Sequence, residues 1–122
     1  MTWTLRIERM PDSALNINRV GSRHWRSRSQ AKKADTGDAH ALALAHGLDS
    51  TMPWKQAWVV ITLYPPDGRK RDIDNFGGAC KAFLDGITLA GVLTDDSVIK
   101  AVTYQWGDTS GPATEIEIDG EP

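Results

Sequence analysis

The sequence predicts a small α+β domain of two layers, a mixed sheet of about four strands with two helices in the order β-α-β-α-β-β. Three observations predict it. Four stretches carry strand patterning, either apolar and polar residues in alternation or a run of β-branched and aromatic residues. Two longer stretches carry helical patterning, each followed by a glycine. The 122 residues, 40% hydrophobic and 25% charged, suffice for one ordinary core and not for two, so a single domain over residues 1–122 is expected.

Thr2 to Glu8 alternates Trp3, Leu5 and Ile7 with Thr4, Arg6 and Glu8, the period of a half-buried strand. Pro11, Asp12 and Ser13 break it, and turn residues as far as Gly21 make the next stretch a loop. A helix is expected to begin near Ser27 or Ser29 and to continue through the Ala/Leu-rich run Ala39 to His46, with Thr36-Gly37 a candidate interruption and Gly47 its stop. Gln56 to Tyr64 is β-branched and aromatic and reads as a central strand buried on both faces, ended by Pro65-Pro66-Asp67-Gly68. A second helix is expected from about Asn75 to Ala90, its apolar face carrying Phe76, Ala79, Phe83, Ile87 and Ala90, with Gly91 as cap. Val98 to Trp106 and Ala113 to Ile118 both alternate around the turn-rich residues Gly107 to Pro112, and are expected to pair as a hairpin.

Composition narrows the function classes. One cysteine and no Cys/His spacing of zinc-ligand type exclude a disulfide scaffold or zinc module, and Cys80, with no adjacent histidine, reads as a structural thiol. No apolar run approaches the roughly 18 residues that span a bilayer, and MTWTLRIERM lacks the basic-then-apolar order of a signal peptide, so a cytoplasmic protein without membrane partners is expected. The formal net charge of −2 conceals an asymmetry: residues 1–34 hold eight Lys/Arg against two acids, and residues 35–122 hold six against fourteen. A basic loop and helix segment at about 18–34 thus precedes an acidic body.

The most informative segment is Arg71-Asp72-Ile73-Asp74-Asn75, which joins the second strand to the second helix. In an extended backbone residues two apart point to the same side, so the Asp72 and Asp74 carboxylates can converge. Convergence needs a shared proton or a divalent cation, and hard oxygen donors suit Mg²⁺ or Mn²⁺. The same residues serve equally well as loop acids, with Asp74 or Asn75 capping the helix. Asp95-Asp96 forms a second acid pair, but a helix of about 16 residues spans roughly 24 Å, which puts that pair at the far end from Asp74 unless the chain folds back. Spacing leaves that geometry open.

Asp72-Ile73-Asp74-Asn75, Lys81, Leu84-Asp85-Gly86, Ala90-Gly91-Val92-Leu93 and Asp95-Asp96, in that order, resemble the signature of the RusA family of Holliday junction resolvases. The likeness runs most clearly from about Arg69 to Asp96 and more loosely through Asn18 and His24-Trp25-Arg26. It implies a RusA-like fold, a fold-back that gathers Asp72, Asp74 and Asp96 as a Mg²⁺-binding catalytic cluster, with Mn²⁺ as substitute, and a homodimer acting on branched DNA. The family's catalytic lysine lies four residues after the second motif acid in its best-known form. Here that position is Gly78, and the interval from Asn75 to Asp85 is three residues longer, so Lys81, seven after Asp74, is the candidate. Residues three apart share a helix face.

The expected activity is a crossover junction endodeoxyribonuclease leaving 5′-phosphate and 3′-hydroxyl ends, with one or two Mg²⁺ ions activating water and polarising the scissile phosphate. Lys81 would offset charge on the phosphorane or position the nucleophile; as a plain helix lysine it would do neither. Arg19, Arg23, Arg26, Arg28, Lys32 and Lys33, with Arg69, Lys70 and Arg71 beside the acid motif, are the candidate phosphate contacts, although such a run is also an ordinary solvated face. Trp25 either stacks on an unpaired base or anchors the loop to the core, the anchor being preferred. The three histidines, His24, His40 and His46, suggest no metal set. A non-catalytic binder of branched or single-stranded DNA, and a nuclease for flaps, are the alternatives.

Overall fold

The computed structural model describes residues 1–16 and 25–122. These form a mixed sheet of four strands in the order β1-β4-β2-β3, with helices on one face. The strands are β1 (Thr2–Ile7), β2 (Gln56–Tyr64), β3 (Ile99–Trp106) and β4 (Ala113–Glu121), and the helices are α1 (Trp25–His46), α2 (Ile73–Ala79) and α3 (Lys81–Ala90). Short 3₁₀ turns occupy Ser13–Leu15 and Asp96–Val98. The chain is therefore α+β, with its second helical stretch divided at Cys80.

The inward residues of three strands make the sheet side of the core: Trp3, Leu5 and Ile7 from β1, Val59, Ile61 and Leu63 from β2, and Ile116 and Ile118 from β4. Phe83, Leu84 and Ile87 of α3, with Ala39 and Ala43 of α1, close it from above. Burial of such side chains stabilises by about 1.5–3 kcal/mol each. Gly47 and Gly91 end their helices with φ of 101° and 104°, the left-handed turn expected at each. α1 runs unbroken through Thr36-Gly37 and begins at Trp25, earlier than the two serines suggested.

α1 and α3 cross closely because Gly86 has no side chain: a methyl there would run into the Thr36 carbonyl and the Ala39 methyl. Gly86→Ala should lower stability by about 1–3 kcal/mol, since backbone must move to admit it. Gly37, on the open side of α1 with no neighbour in reach, should do the opposite and gain roughly 0.5–1 kcal/mol as alanine. Urea titration of both variants checks the contrast; a neutral Gly86→Ala would contradict the close crossing.

Two expectations are corrected. β3 and β4 do not pair as a hairpin: β4 lies antiparallel to both β1 and β2, and β3 lies parallel to β2 on its other side. The link between them passes over the end of β2, where the Gly107 N–H donates to the Leu63 carbonyl at 2.8 Å and the Gly111 N–H to the Pro65 carbonyl at 3.1 Å. Nor is β2 buried on both faces. All the helices lie on one side, so Trp58, Val60, Thr62 and Tyr64 face the open side, next to Asp119, Glu117 and Glu115 of β4.

A half-buried ion pair ties the middle of α1 to the segment that follows β1. Asp35, 1% exposed, accepts from the Arg9 guanidinium and, at 3.0 Å, from the Asp12 N–H. Arg9 also reaches Asp38 at 2.7 Å and lies over the Phe83 ring.

Candidate active site

The loop from Pro65 to Arg71 carries the chain from the end of β2 to α2, and Arg71 organises it. Its guanidinium donates to the Asp67 and Arg69 carbonyls and to Asp67 Oδ1 at 2.8 Å. The Arg69 N–H and then the Arg71 guanidinium, both donating to the Asp67 carboxylate, hold that carboxyl below its ordinary range. Arg71 is thus largely committed to the loop, whereas Arg69 is exposed and reaches Asp67 through one longer bond of 3.3 Å.

Asp72, not Asp74 or Asn75, is the helix cap: its Oδ1 accepts the Asp74 N–H at 3.0 Å, and its backbone is extended. The caps expected at Asp74 or Asn75 fall inside the first turn, because the helix starts at Ile73, two residues earlier than expected. Asp72 and Asp74 are both exposed, and Asn75 is buried.

Asp96 returns toward this region from the other end. After Gly91, Trp54 binds the departing chain through its N–H to the Val92 carbonyl at 2.9 Å and its carbonyl to the Thr94 N–H at 3.1 Å. Asp95 then caps the 3₁₀ turn by accepting from the backbone N–H and hydroxyl of Ser97. That turn brings Asp96 Oδ2 to 3.0 Å from Lys81 Nζ, whose other partner is Asp85 Oδ1 at 2.6 Å.

The fold-back therefore reaches Lys81 and Asp85, one ammonium between two carboxylates. Among the described residues no three His, Cys, Asp or Glu side chains are grouped to hold a metal ion. Asp72, Asp74 and Asp96 are donors of the right chemistry for Mg²⁺, but the side chains as placed do not form a cage. Asp96 meets the chain at Lys81, the first residue of α3, whereas Asp72 and Asp74 stand at the start of α2.

Hydrogen bonds to Asp85 and Asp96 raise the Lys81 pKa, and Lys81 in turn lowers that of Asp96. The pair is charged at neutral pH. It is lost as pH falls through the lowered Asp96 value, or as pH rises through the raised Lys81 value. Asp85 was not singled out as a functional residue from sequence, although its i,i+4 spacing from Lys81 was a usable signal.

α1 lies along this cluster. Lys32 borders both the cleft beside Lys81 and Ala82 and the one beside Asp85, Asp95 and Asp96. Lys33 and Arg26 are exposed, and Arg28 donates to the Ala14 and Asn16 carbonyls. Arg19, Arg23, Asn18 and His24 lie outside the described residues. Trp25 does not anchor to the core: it is 61% exposed, with the Arg26 guanidinium 5.3 Å from its ring centre.

Cys80, buried at the junction of α2 and α3, has its thiol pushed up to about 12 by burial and by Asp35. At pH 8 on the order of one thiol in ten thousand is then ionised. Iodoacetamide at that pH should leave the native protein unmodified and alkylate it once after unfolding in guanidinium. Rapid native alkylation would contradict the buried placement.

Among the described residues, no helix is long and apolar enough to cross a membrane. No family model matches the chain, and no curated protein matches it.

Proposed function

We propose that this protein is a Mg²⁺-dependent, structure-selective endodeoxyribonuclease of the RusA type, which resolves Holliday junctions by paired nicks in opposing strands. The observation that carries the reading is the contact between Lys81 and Asp96, two residues of the resemblance that stand 15 apart in sequence and 3.0 Å apart in space. Motif positions that meet on one surface are what a shared site requires.

Asp72 and Asp74 supply exposed carboxylates at the start of α2, and Asp96 supplies a third from the other chain segment. Bound Mg²⁺ would acidify a water and offset charge on the scissile phosphate. Lys81 carries its positive charge beside Asp96 and would offset negative charge building on the phosphate. Arg26, Lys32 and Lys33 on α1, with Arg69 and Lys70 on the loop, would neutralise flanking phosphates. A four-way junction has near two-fold symmetry, so concerted cutting calls for a homodimer with one site per protomer. An enzyme of DNA recombination and repair would work in the cytoplasm.

A non-catalytic binder of branched DNA is favoured by one observation, that Asp96 is engaged by Lys81 and no three acids are grouped among the described residues. Incubating the protein with a synthetic four-way junction, a flap and a plain duplex, in Mg²⁺ and in EDTA, separates the readings. Paired nicks with 5′-phosphate ends, on the junction and only with metal, are expected. Tight junction binding with no cutting would sink the enzyme, and preferential flap cutting would replace the resolvase with a flap nuclease.

A further inference from the structure

At the carboxyl ends of the parallel strands β2 and β3 lies a cleft of about 210 Å³ that the acid cluster does not use. Trp106, the last residue of β3, forms one wall and is 36% exposed. Phe76 of α2 fixes its position edge-on, with ring centres 5.7 Å apart. Arg69 and Arg71 also line it, with the Asp67 carboxylate that both guanidinium groups bond, and Pro65, Gly68, Gly107 and Thr109 complete the lining.

The composition of these walls selects a ligand. An indole held by a neighbour presents a flat face suited to stacking on a nucleobase, and an arginine beside it suits a phosphate. At about 210 Å³ the cleft suits a single base and is far too small for a duplex. Arg71 is rigid in its bonds to Asp67, whereas the exposed guanidinium of Arg69 is held to Asp67 by a single 3.3 Å bond and is the group able to turn to an incoming anion. Arg71 is followed directly by Asp72, so an occupant would lie next to the acid motif.

We infer that this cleft seats one unpaired nucleotide of branched or single-stranded DNA, its base against Trp106 and its phosphate toward Arg69. The inference rests on the nuclease reading for its biological meaning, but its test does not require cutting.

Fluorescence anisotropy in EDTA, with a labelled single-stranded oligothymidine and a matched blunt duplex, measures it. Trp106→Ala should weaken single-strand binding about tenfold and leave duplex binding unchanged. Trp106→Phe, which keeps a stacking face, should recover most of the loss and guards against a folding defect. Arg69→Ala should weaken both ligands and reduce the salt dependence by about one phosphate contact.

Equal loss on both ligands in Trp106→Ala, or no loss on either, would overturn the seat. If the wild-type protein cuts junctions while Trp106→Ala binds single strands normally, the seat fails and the nuclease stands. If Trp106→Ala selectively loses single-strand binding and the wild type cuts nothing, the seat stands and the nuclease fails.

Discussion

Asp74→Asn should abolish junction cutting, by on the order of a thousandfold, while leaving junction binding intact or stronger. The substitution keeps the size of the side chain and removes one negative charge. Asp74 is exposed, and its part in the helix start is its backbone N–H, which donates to Asp72 and is unchanged in asparagine. The fold should therefore survive, and the missing charge should show in chemistry alone. Less repulsion of the phosphates explains why binding does not fall. Cleavage rates and gel-shift affinities on one junction measure the two effects separately. A variant that cuts at the wild-type rate would remove Asp74 from the site, and one that neither cuts nor binds would point to a damaged fold.

The largest loss of stability is expected at Arg9, whose guanidinium lies over Phe83 of α3. Arg9→Ala leaves Asp35 buried at 1% exposure, with the Asp12 N–H as its remaining bond partner. Asp35 is the buried member and Arg9 is 35% exposed, so the cost of stranding the Asp35 charge should fall at the lower end of the roughly 3–5 kcal/mol that breaking a fully buried pair costs. Replacing both residues by apolar ones of similar size should restore much of the loss, since neither charge is then stranded. Denaturant titration of the single and double variants checks this, and additive losses would contradict it. Asp38→Ala should cost little by comparison, as Asp38 is exposed and water replaces it.

Patterns that depend on neighbours along the chain were legible in the sequence. The alternation of Trp3, Leu5 and Ile7 identifies a strand face, and Gly47 and Gly91 end helices through the left-handed turn that glycine adopts. What local patterns cannot carry is the identity of a spatial neighbour. Gly107 to Pro112 correctly signals a reversal of direction, yet β2 lies between the two strands it joins. The β-branched run of β2 fits a strand with one or two covered faces, and only the placement of every helix on one side decides. The Arg9–Asp35 pair, 26 residues apart, left no trace in charge pattern.

The site divides in the same way. Asp72 and Asp74 are candidates by their spacing, Lys81 and Asp96 through the resemblance, and the return of Asp96 toward the helix was an expectation of the resemblance alone. The helical stretch is divided at Cys80, and Asp96 meets Lys81 at the start of its second part.

The central claim is that carboxylates from both chain segments serve one cation. A crystal of the protein soaked in Mn²⁺, with anomalous differences recorded at the manganese edge, tests it most directly. The account predicts a peak ligated by Asp72 or Asp74 and also by Asp96, with Lys81 drawn off Asp96. A peak that excludes Asp96, or none while the Lys81–Asp96 pair persists, would contradict it.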